Sequence, residues 1–160
     1  MELEEAVVVV TGGESGIGRA LALRAAEEGA RGVVVADLDA DGAAAVAAQI
    51  GARGLGVSCD VAEDAFGPID LLCANAGVAI GTDLTTPLED WELAFDVNVR
   101  AHVPAARHLV PRWLERGSGW FLSTASAAGL LTQIGSRRKA DDYDRWLKGM
   151  RRLQSAITPA

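Results

Sequence analysis

Apolar residues fall along this chain in short, dense runs. Ala6–Val10, Gly32–Asp37, Gly54–Val61, Ile69–Asn75 and Gly119–Ala125 read as strands. Several of these runs lack a regular polar alternate, as strands buried on both faces require. Between them the apolar positions change to helical spacing, at Ile17–Glu28, Ala40–Ile50 and about Leu88–Glu115. Gly29 and Gly51 stop the first two helices, and each is soon followed by the next β-rich run. Strand and helix alternate, so the pattern predicts an α/β fold built on an open, doubly wound parallel sheet, Rossmann-type. In the third helix Trp91, Phe95 and Val99 repeat every four residues and mark a buried face or a subunit contact.

The pattern breaks twice. Only Ala62–Pro68 join the third run to Ile69, whereas a parallel crossover takes a dozen or more residues and usually carries a helix. Seven extended residues reach about 24 Å and leave nothing for one. Something like one helix is therefore expected to be missing, with the gap within 61–66. The second break follows Ser136, where Arg137–Arg152 hold seven Lys/Arg and three Asp. There Tyr143, Trp146, Leu147, Met150 and Leu153 form an amphipathic helical stripe, expected to dock on this subunit or a partner. The organisation expected is thus a nucleotide-binding domain over 1–136 and an amphipathic helix in 137–160, with a segment missing before it.

The strongest local signal is Thr11-Gly12-Gly13-Glu14-Ser15-Gly16-Ile17-Gly18, set between the first strand and the first helix. In that context Gly12 can take the tight turn, Gly16 leaves room for a pyrophosphate against backbone, and Gly18 lets helix and strand pack closely. The N–H groups and dipole at the helix start then face the anion.

Composition narrows the partners. The chain has 160 residues, 49% apolar and only 5% aromatic, with a net charge of −7. That size suits one domain with a Val/Ala/Leu core, and the charge argues against nucleic acid. The acidic start Met1-Glu2-Leu3-Glu4-Glu5 is unlike a basic signal peptide, and no apolar run reaches the length of a membrane span, so the expected location is cytoplasmic. Cys59 and Cys73 sit in apolar runs without metal-ligand spacing and read as buried thiols; no metal is expected. His102 and His108 fall on opposite sides of a helix and are not singled out.

The TGxxxGxG spacing, followed by Asp37, Asn75-Ala76-Gly77, Asn98 and Ser126, resembles the short-chain dehydrogenase/reductase family from Glu5 to about Ser136. The resemblance implies a nicotinamide cofactor held by Gly12, Ser15, Gly16, Ile17 and Gly18. It implies Asp60 and Val61 at the adenine ring, and Asn75, Ala76 and Gly77 lining the cleft. Asp37 ends the second strand, where a carboxylate accepts both ribose hydroxyls and repels a 2′-phosphate, which favours NAD over NADP. Ser15 agrees, standing where NADP-preferring relatives often carry Arg or Lys. Asp39 and Asp41 lie past the strand end and read as a solvated helix start.

By the same resemblance Ser126 is the catalytic serine that polarises the substrate oxygen, and Asn98 holds a water of the proton relay. The family's acid/base is a Tyr about thirteen residues beyond the Ser, with a Lys four residues later. Here Lys139 occupies the Tyr position and no Tyr-x-x-x-Lys occurs. Tyr143 and Lys148 are five apart, about 140° around a helix. The expected parent activity is NAD-dependent hydride transfer with a secondary alcohol or ketone, by a homodimer or homotetramer packed through the long helix. As it stands, without Tyr and Lys, the chain is expected to be inactive. The competing reading is a dinucleotide-binding or interaction protein that kept the cleft and lost the chemistry.

Overall fold

The computed structural model describes residues 2–56, 59–80 and 85–126, with backbone alone for 59–62. The strands are β1 (Val7–Thr11), β2 (Gly32–Ala36), β3 (Gly54–Gly56), β4 (Leu71–Ala74) and β5 (Trp120–Ser123). The helices are α1 (Gly16–Glu27), α2 (Ala40–Ile50), α3 (Cys59–Phe66), α4 (Leu88–Phe95) and α5 (His102–Arg116). All pairings are parallel and the sheet order is β3-β2-β1-β4-β5, so the chain reverses direction across the sheet after β3. Two compact units emerge: Met1–Val78 with Ala94–Thr124, and Ala79–Leu93 with Ala125–Ala160. The sheet belongs to the first.

The runs of valine make sense on this sheet. Val8, Val10, Val33 and Val35 face the Ala-rich helices, where Ala22, Ala25, Ala43 and Val46 let α1 and α2 approach closely. Val7, Val9 and Val34 face the opposite layer with Ile69, Leu72, Leu109 and Trp113. All seven valines are less than 2% exposed. Burying each side chain contributes about 1.5–3 kcal/mol, and β-branched residues already favour the strand.

Three expectations need correction. The third strand is described over Gly54–Gly56 and does not reach Val61, because residues 59–66 form α3 instead of a strand end and an extended link. The crossover therefore has more chain than the sequence pattern allowed it, enough for a two-turn helix whose Phe66 packs on the second core. The long helix is not uniform either: between α4 and α5 a five-residue π turn runs from Asp96 to Arg100. Finally, Trp113, a large apolar residue of the long helix that the sequence alone offers, with Trp91 and Phe95, for subunit contact, is buried. Its indole N–H donates to the Ile69 carbonyl at 2.7 Å, and its ring meets Phe121 edge-on at 6.5 Å.

Candidate cofactor cleft and active site

At the carboxyl edge of the sheet β1 ends in Thr11 and the backbone turns at Gly12, with φ +65°. A Cβ there would lie 2.8 Å from the Ala76 Cα, so only glycine fits without a shift. Ser15 precedes α1 in extended conformation, and Ser15, Gly16 and Ile17 are exposed at the helix start. Gly16 also has positive φ, +52°, but a Cβ on it would meet nothing within 4 Å. Gly18 is the opposite case. A Cβ on it would sit 1.9 Å from the Gly12 carbonyl oxygen and 2.6 Å from the Asn75 side chain. Helix α1 is thus pressed onto the turn, its first N–H groups aimed outward beside open space, an arrangement that suits a phosphate.

Asp37 lies just past β2 and reaches back to this turn. Its carboxylate accepts from the Glu14 N–H at 3.2 Å and from the Asp39 N–H at 3.1 Å. Two N–H bonds fix the group and leave it further acceptor capacity for a diol. Asp39 caps α2 by accepting from the Gly42 N–H at 3.0 Å. Next to Asp37, Leu38 is wholly exposed, an apolar surface that sequence reading passed over.

Asn75 ties three strand ends together. Its Nδ2 donates to the Thr11 and Gly12 carbonyls, both at 3.1 Å, and its Oδ1 accepts from the Thr124 hydroxyl at 2.9 Å. The Thr11 hydroxyl in turn accepts from the N–H groups of Asn75 and Ala76, at 3.0 and 3.1 Å. Thr11, a motif residue given no role of its own by the sequence, and Thr124, which no site motif includes, are therefore both partners of Asn75. The signal was present in part, since each ends a strand at a parallel sheet edge where polar groups need satisfying.

Asn98 sits in the π turn. Its Oδ1 accepts from the Val78 N–H and its Nδ2 donates to the Val78 carbonyl, both at 2.9 Å. A Cβ on Gly77 would lie 3.1 Å from that Oδ1. The side chain clamps the segment after β4. His102, one turn later, places Nε2 at 2.8 Å from the Ser123 hydroxyl and joins α5 to the end of β5. The sequence does not single this residue out, because His102 and His108 fall on opposite sides of a helix and suggest no shared metal. Ser126 is exposed and belongs to the second unit. Asp60 and Val61 lie in α3 and do not end a strand; their side chains, like Lys139, Tyr143 and Lys148, fall outside the described residues. Among the described residues no group of three or more His, Cys, Asp or Glu could hold a metal ion.

The family model for short chain dehydrogenases matches residues 6–137. The chain belongs to that family. The short-chain dehydrogenase match extends to curated relatives. The 1-deoxy-11-beta-hydroxypentalenate dehydrogenase of Streptomyces exfoliatus is 42% identical over 155 residues, covering 85% of this chain and 56% of the relative. The D-threitol dehydrogenase of Mycolicibacterium smegmatis is 38% identical over 142 residues, covering 79% and 54%. Among solved structures, a 3-ketoacyl-(acyl-carrier-protein) reductase from Brucella melitensis complexed with NADH has a TM-score of 0.74 at 32% identity, covering 79% of this chain and 60% of that one. This short-chain dehydrogenase chain thus spans little more than half the length of these relatives. The S. exfoliatus match takes 155 aligned positions but 85% of 160 residues, about 136, so about 19 positions of the relative have no counterpart here.

Proposed function

We propose that this protein binds NAD(H) at the carboxyl edge of its sheet, and that its parent activity is hydride transfer between the cofactor and a secondary alcohol or ketone. The observation that carries this reading is the convergence, within one unit, of the open α1 start, the Asp37 carboxylate and the Asn75 clamp. Gly12, Ser15, Gly16, Ile17 and Gly18 would hold the pyrophosphate. Asp37 would accept the ribose hydroxyls, with Leu38 against the base, while Ala76 and Gly77 border the cleft. When bound, the cofactor supplies a hydride donor or acceptor that no side chain here provides. Ser126 would orient the substrate oxygen, and the Asn98 turn would shape the cleft floor. The chain's only tyrosine is Tyr143, and no Tyr-x-x-x-Lys accompanies Ser126, so proton exchange lacks its family residue. We place the positions absent relative to relatives at the β3–β4 crossover and after Ser136; about 19 residues correspond to some five helical turns.

The missing Tyr and Lys favour a second reading, a cofactor-binding protein without turnover. The two separate in one experiment, in which NADH and NADPH are titrated by fluorescence and the NADH complex is then offered a panel of ketones. The first reading expects NADH ahead of NADPH, a gap narrowed by Asp37→Ala, and oxidation of NADH. Binding without oxidation supports the second. Equal affinities for NADH and NADPH in the unmutated protein would refute the role given to Asp37. We further infer a cytoplasmic homodimer or homotetramer, supported by Val103, Val110 and Leu114, which line up exposed along α5. No helix among the described residues is long and apolar enough to cross a membrane.

A further inference from the structure

Helix α4 buries none of its eight residues, although five are apolar. Leu88 is 77% exposed, and Trp91, Leu93 and Phe95 are each about half exposed. The same helix carries Glu89, Asp90 and Glu92 and no basic residue. A helix that is both apolar and acidic, and that buries nothing, lacks the packing that stabilises short helices in water. A second copy of α4 is a poor cover, since it would set three carboxylates against three.

The same sequence contains the complementary element. Residues 137–152 hold seven Lys/Arg against three Asp, and Tyr143 to Leu153 carry an apolar stripe at helical spacing. About sixteen residues separate Ser126 from Tyr143, a tether of up to roughly 50 Å. We propose that the basic segment 137–153 of this chain docks on α4. Its apolar stripe covers Trp91 and Phe95, and its arginines pair with Glu89 and Glu92. This is the helix-in-groove mode of recognition with its charges fixed by the two sequences. The proposal does not depend on cofactor binding or turnover.

Hydrogen exchange on the full chain, read by mass spectrometry, tests it. Peptides spanning 143–153 should exchange at least tenfold more slowly than an unstructured chain, and equally at low and high protein concentration. Trp91→Asp should remove that protection while leaving β1 and β4 unchanged, which it can do because Trp91 is not in the core. Glu89→Lys with Glu92→Lys should weaken protection, and adding Arg151→Glu with Arg152→Glu should restore it. Unprotected 143–153 in the unmutated protein would overturn the proposal, as would protection indifferent to Trp91→Asp. Protection of α4 that grows with concentration while 143–153 stays open would assign the face to a second copy instead.

Discussion

Gly18→Ala tests whether the closeness of α1 to the glycine turn organises this edge of the protein. In an ordinary exposed helix the change would stabilise by about 1 kcal/mol, because alanine is the better helix former. Here the new methyl would lie 1.9 Å from the Gly12 oxygen, and 2.6 Å from the Asn75 amide. Restoring a contact of about 3.2 Å requires the start of α1 to move by about 1.3 Å, since overlap of this kind cannot be absorbed by backbone that is itself hydrogen-bonded. Overpacking costs about 1–3 kcal/mol, and loss of the two Asn75 bonds to Thr11 and Gly12 adds about 2 kcal/mol. Subtracting the propensity gain leaves a destabilisation of about 3 kcal/mol. In a domain of this size that lowers the Tm by about 6–12 °C. Gly51→Ala separates the clash from backbone strain, because Gly51 has φ +82° but open space around it. It should cost only about 1–2 kcal/mol. Urea unfolding of both variants measures the difference, and a Gly18→Ala midpoint at or above that of Gly51→Ala would refute the reasoning. NADH affinity should fall with Gly18→Ala and not with Gly51→Ala.

Asn75→Ala removes the clamp between three strand ends and should destabilise by about 1–3 kcal/mol in urea unfolding, taking a partner from the part-buried Thr11 and Gly12 carbonyls and from the exposed Thr124 hydroxyl. Asn75→Asp should be intermediate, because it keeps the acceptor for Thr124 but loses both donors. Burial pushes the Cys73 thiol from 9.0 up to about 11. The folded state thus holds this proton more tightly than the unfolded chain, and the Cys73 contribution to stability should be intact below pH 9 and decline as pH rises through 11. Comparing unfolding at pH 8 and 10 in the unmutated protein and Cys73→Ala checks the sign: the variant should lose less stability between the two. Light scattering at micromolar concentration should give a dimer or tetramer mass, and Val103→Asp with Leu114→Asp should reduce it to that of a monomer.

Most of the sheet was legible because its strands advertise themselves twice, by β-branched residues and by the glycines that end the helices between them. α2 lies at Ala40–Ile50 as read, bounded by Asp39 and Gly51. Leu55, Val57, Cys59 and Val61 alternate with small or polar residues in the period of a strand, yet Cys59 and Val61 lie in α3, a case of tertiary context overriding local pattern. The π turn left no trace in the apolar spacing, since Trp91, Phe95 and Val99 fit a regular helix equally well. At the site, motif residues were easy to find and their partners were not. Thr11, Thr124 and His102 matter through pairings 21 to 65 residues away in sequence, and a single sequence does not display such distances.

The valine runs leave β1 with little to say about its own alignment. Val7, Val8, Val9 and Val10 are the same residue, and both faces of the strand are buried, so sliding it by one position would exchange valine for valine. The usual penalty that fixes register, an apolar group turned to water, is nearly silent here. What distinguishes the native alignment is polar and sits at the two ends. The Val7 N–H donates to the Asp70 carboxylate at 2.9 Å, while Thr11 receives the Asn75 and Ala76 amides. Asp70 is itself held by Arg116 at 3.0 Å from the end of α5. Alignment of the central strand therefore depends on residues 63 or more positions later in the chain, which are made well after β1 during synthesis. A nascent chain ending before Asp70 would have the valines of β1 and β2 paired but not yet pinned, free to sample slipped sheets that bury almost as much surface.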